Sequence, residues 1–150
     1  MQTKIQKKFL DMGFGFPVLL INVPMLKIHG VWTPHINYNH LTSKVLYSLA
    51  YKESFLSGNE LKFIRLHFEL TLQEFAKRFC VAKTAVIKWE KSADHPTFMN
   101  WLIEKDIRLF ILTKLDSKSK ELAKLYNELT QIPSEVPLMP IHLQIKKIAA

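Results

Sequence analysis

The groups able to bind a metal or move protons in this 150-residue chain are six histidines, one cysteine and thirteen carboxylates, and their spacing serves neither purpose. His29, His35, His40, His67, His95 and His142 include no His-x-x-x-His pair, the spacing that sets two ligands on one helical face. His35 and His40 fall five apart in an expected loop. We expect no metal site and no cofactor. Asp94, Asp106 and Asp116 share no spacing that would bring two carboxylates together. Gly13, Gly15, Gly30 and Gly58 build neither a phosphate-cradling loop nor a Gly-x-Ser-x-Gly nucleophile turn. The single Cys80 excludes an internal disulfide framework and a multi-cysteine zinc site. It reads as a small buried apolar turn residue, without a histidine to activate it. Enzymatic chemistry is not expected.

What the chain offers instead is positive charge. A formal charge of +8 and a pI near 9.6 attract polyanions, whether nucleic acid or an anionic membrane. The excess is spread over Lys4, Lys7 and Lys8, over Lys114, Lys118, Lys120 and Lys124, and over Lys146 and Lys147; a basic run is equally a solvated face. The longest apolar runs, such as 17–21, fall far short of the roughly 20 residues that span a bilayer. The stretch after Lys8 is broken by Asp11, glycines and Pro17, unlike a signal peptide. We therefore expect a cytoplasmic protein with no membrane partner.

The elements that must carry any site follow from apolar periodicity. Residues 1–12 show no clear face and read as a frayed or short helical start. Residues 16–38 are rich in β-branched and aromatic side chains punctuated by Pro17, Pro24, Gly30 and Pro34, which predicts antiparallel strands near 18–22, 25–29 and 35–38. Leu41, Val45, Leu46, Leu49 and Ala50 recur at helical spacing, predicting a helix over 41–51 capped by Asn39 or Thr42. Ser57 and Glu60 form a capping-box pattern ahead of the stripe Leu61, Ile64 and Phe68. Further helices are predicted over 71–79, 83–91 and 98 to about 113. A last amphipathic stretch, 117–129, sets Leu122, Leu125, Tyr126 and Leu129 on one face before Pro133, Pro137 and Pro140 forbid continuous helix.

Within the run from Leu70 to Glu90, Thr71 opens one helix, Phe75 and Ala76 face inward, and Val81 fills a tight turn. Val86 and Trp89, three apart, bury a second helix. Residues 57–95 resemble the repressor-like, or Xre-type, helix-turn-helix family, with its leucine-threonine opening, small inward alanine, valine in the turn and closing tryptophan-glutamate. Three residues depart from the family wording: Leu72 for a DNA-touching glutamine, Cys80 for the turn glycine and Ala82 for the capping serine. The resemblance implies a recognition helix, about 82–91, in the major groove, with two such helices about one DNA turn apart in a dimer. Lys83, Thr84 and Lys88 then face outward to base edges, with Ala85 and Ile87 adding apolar contacts and Lys91 reaching phosphate. Thr71 and Gln73 fasten the preceding helix to DNA. The resemblance also implies a structural pair, Arg65 with Glu90.

The expected architecture is mainly α (α+β). An N-terminal β-containing accessory region, 1–52, precedes a helix-turn-helix domain, 53–115, and a C-terminal helix with a proline-punctuated tail, 116–150. The expected function is sequence-specific binding of double-stranded DNA by a dimeric transcriptional regulator. A β-rich piece before such a domain also resembles two-domain antitoxins, although the zinc-binding cysteines found in those proteins are missing here. Neutralising a partner toxin, or a pure protein-interaction role in which DNA binding is lost, are the alternatives.

Overall fold

The computed structural model describes residues 2–115 and 120–130. It is an α+β fold in which a three-stranded antiparallel sheet of order β1-β2-β3 precedes six helices. The sheet comprises β1 (Thr3–Asp11), β2 (Val18–Ile28) and β3 (Val31–Pro34). The helices are α1 (Tyr38–Ala50), α2 (Gly58–His67), α3 (Leu72–Arg78), α4 (Lys83–Glu90), α5 (Trp101–Leu115) and α6 (Lys120–Glu128).

The N-terminal segment corrects the sequence expectation most. Residues 1–12 are not a helical start: β1 pairs with β2 from Thr3↔Leu26 to Asp11↔Val18, a long-range pairing that overrides weak local preference. The two strands expected at 18–22 and 25–29 are one, running through Asn22 and Pro24. Proline normally breaks a central strand because it has no N–H. Here the Pro24 carbonyl accepts from the His35 N–H at 2.8 Å, so its nitrogen also points to the β3 side. Since β3 pairs no further than Met25↔Pro34, the missing donor leaves the ladder with β1 intact. The third strand lies at Val31–Pro34 rather than 35–38, because His29 (φ 48°) and Gly30 (φ 78°) make a two-residue turn with both residues left-handed. That turn sets Val31 directly opposite Ile28.

Helix boundaries shift for local reasons. Asn37, not Asn39 or Thr42, caps α1 by accepting from the His40 N–H at 3.2 Å, while the Thr42 hydroxyl donates to the Tyr38 carbonyl. α5 begins at Trp101 instead of 98: the Asn100 side chain accepts from the Leu102 N–H, and Phe98 sits before the helix at φ 56°. Of the stripe expected on 117–129, Tyr126 packs against the core, while Leu122 and Leu129 are exposed. Residues 117–119, the Leu125 side chain and the proline-punctuated tail lie outside the described residues.

One core joins these helices. Leu46, Leu56, Leu61, Ile64, Phe75, Val86, Ile107 and Ile111 are fully buried, and Phe16 from the β1–β2 connection belongs to the same cluster. α1, although N-terminal to residue 53, therefore shares the core of α2–α5. Phe14 and Phe16 dock on Phe63 edge to face at 5.6 and 5.3 Å, anchoring the sheet by its connecting loop. A buried ion pair clamps α5 to the end of α1. Arg108 donates to Glu104 at 2.8 Å and to the carbonyls of Ala50, Lys52 and Ser54, and Glu104 accepts the Leu56 N–H.

Candidate nucleic-acid interface

α4 is held from three sides. From below, Val86 is fully buried and Trp89 nearly so. From α2, Arg65 grips Glu90 through two bonds, Nε to Oε1 at 2.6 Å and Nη2 to Oε2 at 3.2 Å. Its third nitrogen, Nη1, donates to the Leu70 carbonyl at 2.9 Å, so one guanidinium ties α2, α4 and the entry to α3 together. From the chain after α4, the Asn59 N–H reaches the Ala93 carbonyl and its side chain reaches Asp94, both within 3.0 Å. The approach is close enough to require glycine at position 58, where a Cβ would come within 2.8 Å of the Ala93 nitrogen.

The connection between α3 and α4 is a helix-ending motif in which the Val81 N–H returns to the Ala76 carbonyl at 2.9 Å and the Cys80 N–H to Lys77 at 3.3 Å. Cys80 occupies the left-handed position, φ 56°, usually taken by glycine. Its side chain is exposed, which corrects the expectation of a small buried group: the left-handed residue of this motif projects away from the helix pair. The same motif ends α2, where Glu69 (φ 57°) is left-handed and the Leu70 N–H reaches the Arg65 carbonyl at 3.1 Å. Ala82 stands at the N-cap of α4 without a side-chain bond. Thr71, in contrast, caps α3 in a full capping box with Glu74.

With one side of α4 fixed, the other is a cationic stripe. Lys83, Thr84 and Lys88 are exposed, and Lys91, just past the helix, continues the line Thr84–Lys88–Lys91 at helical spacing. The helix carries one carboxylate, Glu90, which Arg65 occupies. Ile87 is half-buried beside this stripe. Ala85 is also half-buried but packs against the core, so it offers little to a ligand. On α3, Thr71 and Gln73 are exposed, while Leu72 leans on the core; an apolar residue there has a packing role that a glutamine would fill less well.

Two features escaped the sequence reading. The Glu104–Arg108 clamp was signalled by opposite charges four apart sharing a face with Ile107 and Ile111. The second feature joins α3, α5 and α6. Arg78 lies 3.6 Å from the Asp106 carboxylate and over the rings of Phe79, Phe110 and Tyr126. The Tyr126 hydroxyl bonds the Asp106 carboxylate and carbonyl. Burial, reinforced by that bond, pushes the Tyr126 phenol up to about 12. No spacing rule links these three residues.

Among the described residues no three His, Cys, Asp or Glu side chains gather as a metal would require, and no helix is long and apolar enough to cross a membrane. No family model, no curated protein and no solved structure matches the chain.

Proposed function

We propose that α3 and α4 form a helix-turn-helix and that the protein binds double-stranded DNA by placing α4 in the major groove. The observation that carries this reading is the asymmetry of α4. One side is locked by Val86, Trp89 and the Arg65–Glu90 pair, and the other presents Lys83, Thr84 and Lys88 with no free carboxylate among them. A helix held this rigidly, with donors grouped at its start, suits base-edge readout, in which lysine donates to guanine acceptors and threonine bonds a base or meets a thymine methyl. Lys91 and Gln73 at the margins suit phosphate. Action as a dimer, with two α4 helices on successive major grooves, belongs to the same proposal.

A filter-binding titration on the DNA upstream of the protein's own reading frame, at two salt concentrations, tests it. Binding that weakens with salt and prefers that DNA over a scrambled duplex is the expected result. Equal, weak binding to every duplex would overturn it.

A further inference from the structure

We propose that the outer edge of β1 receives an extended acidic segment of another protein, which adds to the sheet as a fourth strand. The inference goes beyond DNA reading and uses a separate part of the molecule. In the order β1-β2-β3, the far side of the nine-residue β1 has no strand against it among the described residues. An unpaired edge is a template for a further strand, and proteins usually shorten, interrupt or charge one, lysines on the edge turning away every strand that does not carry the opposite charge. β3, the opposite edge, follows that rule with four residues ending in Pro34. β1 is long and has no proline.

Charge and apolar surface define the occupant. Lys4, Lys7 and Lys8 have no carboxylate partner among the described residues, and Asp11, the one acid on the strand, accepts the Gly13 N–H at 2.7 Å. Ile5 is 72% and Leu10 58% exposed, and the register sets Leu10 against Leu19, itself 54% exposed. Because side chains alternate between faces, Lys4, Lys8 and Leu10 lie on one face, and Ile5, Lys7 and Phe9 on the other. A fourth strand that sets carboxylates beside Lys4 and Lys8 on one face and aliphatic residues beside Ile5 on the other alternates the two.

A second copy of the chain fits poorly. Antiparallel self-pairing centred on Lys7 opposes Lys7 to Lys7, and centring on Gln6 opposes Lys4 to Lys8; like charges directly opposite are destabilising, and centring on Ile5, which avoids them, leaves the Leu10 end of the strand unpaired. Duplex DNA would satisfy the lysines but gives Ile5, 72% exposed, nothing to bury against.

The test is fluorescence anisotropy of the full chain with a labelled nine-residue peptide alternating glutamate and valine. Two controls are a peptide of the same composition with its glutamates in one block and a peptide alternating lysine and valine. The alternating acidic peptide should bind at least about tenfold more tightly than either control, a difference of about 1.4 kcal/mol. K4E/K8E and, independently, Ile5→Asp should abolish that preference with the circular dichroism spectrum unchanged, whereas Lys83→Ala should leave it intact. Equal binding of the two acidic peptides would mean bulk attraction and overturn the proposal. So would a dimer, seen by sedimentation, that Ile5→Asp dissociates, or a DNA salt dependence that K4Q/K8Q flattens in a chain that ignores the peptide. Failure of DNA binding alone would leave the proposal standing.

Discussion

The helical unit and the sheet treat charge in opposite ways. Among the helices, Glu60, Glu74, Glu90, Glu104, Asp94 and Asp106 each accept a hydrogen bond or pair with a cation. Arg65–Glu90, Asn59–Asp94 and Arg78–Asp106 join elements distant in sequence. In the sheet, Lys4 and Lys27 share the ring of Trp32, at 4.5 and 5.7 Å, and among the described residues Lys7 and Lys8 form no ion pair with a carboxylate. Across residues 1–52, Lys4, Lys7, Lys8, Lys27, Lys44 and Lys52 face Asp11 as the single acid. Apolar groups divide less sharply: the sheet buries Val23 and Met25 and the helical part exposes Leu66, Phe98 and Leu102, but on the sheet Ile5, Leu10, Leu19, Ile21, Ile28 and Val31 are all more than 40% exposed. One region uses its residues to hold a shape, and the other holds its residues available.

The sharpest way to break this contrast is at the Arg65–Glu90 pair, whose side chains are 9% and 11% exposed. Glu90→Ala leaves a nearly buried guanidinium unpaired and should cost about 3–5 kcal/mol in urea unfolding. A loss below about 1 kcal/mol, the range of exposed pairs, would show that α4 is not held as described.

Next in size are the exposed residues of α4. Lys83→Ala or Thr84→Ala should leave the unfolding midpoint almost unchanged yet weaken a preferred DNA site by about 1–3 kcal/mol, with selectivity falling alongside affinity. Lys91→Ala should instead weaken all duplexes alike and reduce the magnitude of the salt slope by about one per monomer. If Lys83→Ala changes stability but not DNA affinity, the outward side of α4 is not a reading surface.

A smaller gain is expected where the helical unit falls short of its own pattern. Ala82 leaves the α4 N-cap without a side-chain acceptor, so Ala82→Ser should stabilise by about 1 kcal/mol. Cys80→Gly relieves a left-handed non-glycine residue and should also stabilise, by up to about 1 kcal/mol once the extra freedom of glycine in the unfolded chain is deducted. Thermal unfolding of each variant checks both, and a lowered midpoint in either would contradict the geometry of the turn.

What could be read in the sequence depended on how far its signals act. The capping box of Ser57 with Glu60 and the opening of α3 by Thr71 act over three residues and appear in the structure as expected, Glu74 completing a second box at Thr71. The spacing of Val86 and Trp89 likewise identifies the buried side of α4 from within one helix. The sheet was harder because its register is set between strands. The turn at His29 and Gly30 fixes where β3 begins, and Pro24 is tolerated only because β3 ends beside it. Residues 1–12 carry little local preference of their own and become a strand because β2 is there to pair with. The Arg78–Asp106–Tyr126 contact joins three helices and leaves no periodic trace.

The smallest expected effect bears most directly on the contrast between the two regions. Leu19 and Ile21 lie on the same face of β2, 54% and 56% exposed, opposite Leu10 and Lys8. If they are held available and not used to hold the shape, replacing both with threonine, a β-branched residue suited to a strand, removes apolar surface that the fold does not bury. L19T/I21T should therefore shift stability by no more than about 0.5 kcal/mol, the usual range for surface substitutions. The equivalent loss in the helical core is far larger: Leu46→Ala, at a fully buried position, should cost about 2–5 kcal/mol. Urea unfolding of the two variants side by side measures the ratio. A loss of 2 kcal/mol or more in L19T/I21T, on the scale of a buried leucine, would mean that this face of the sheet is covered in the folded protein as the helical core is.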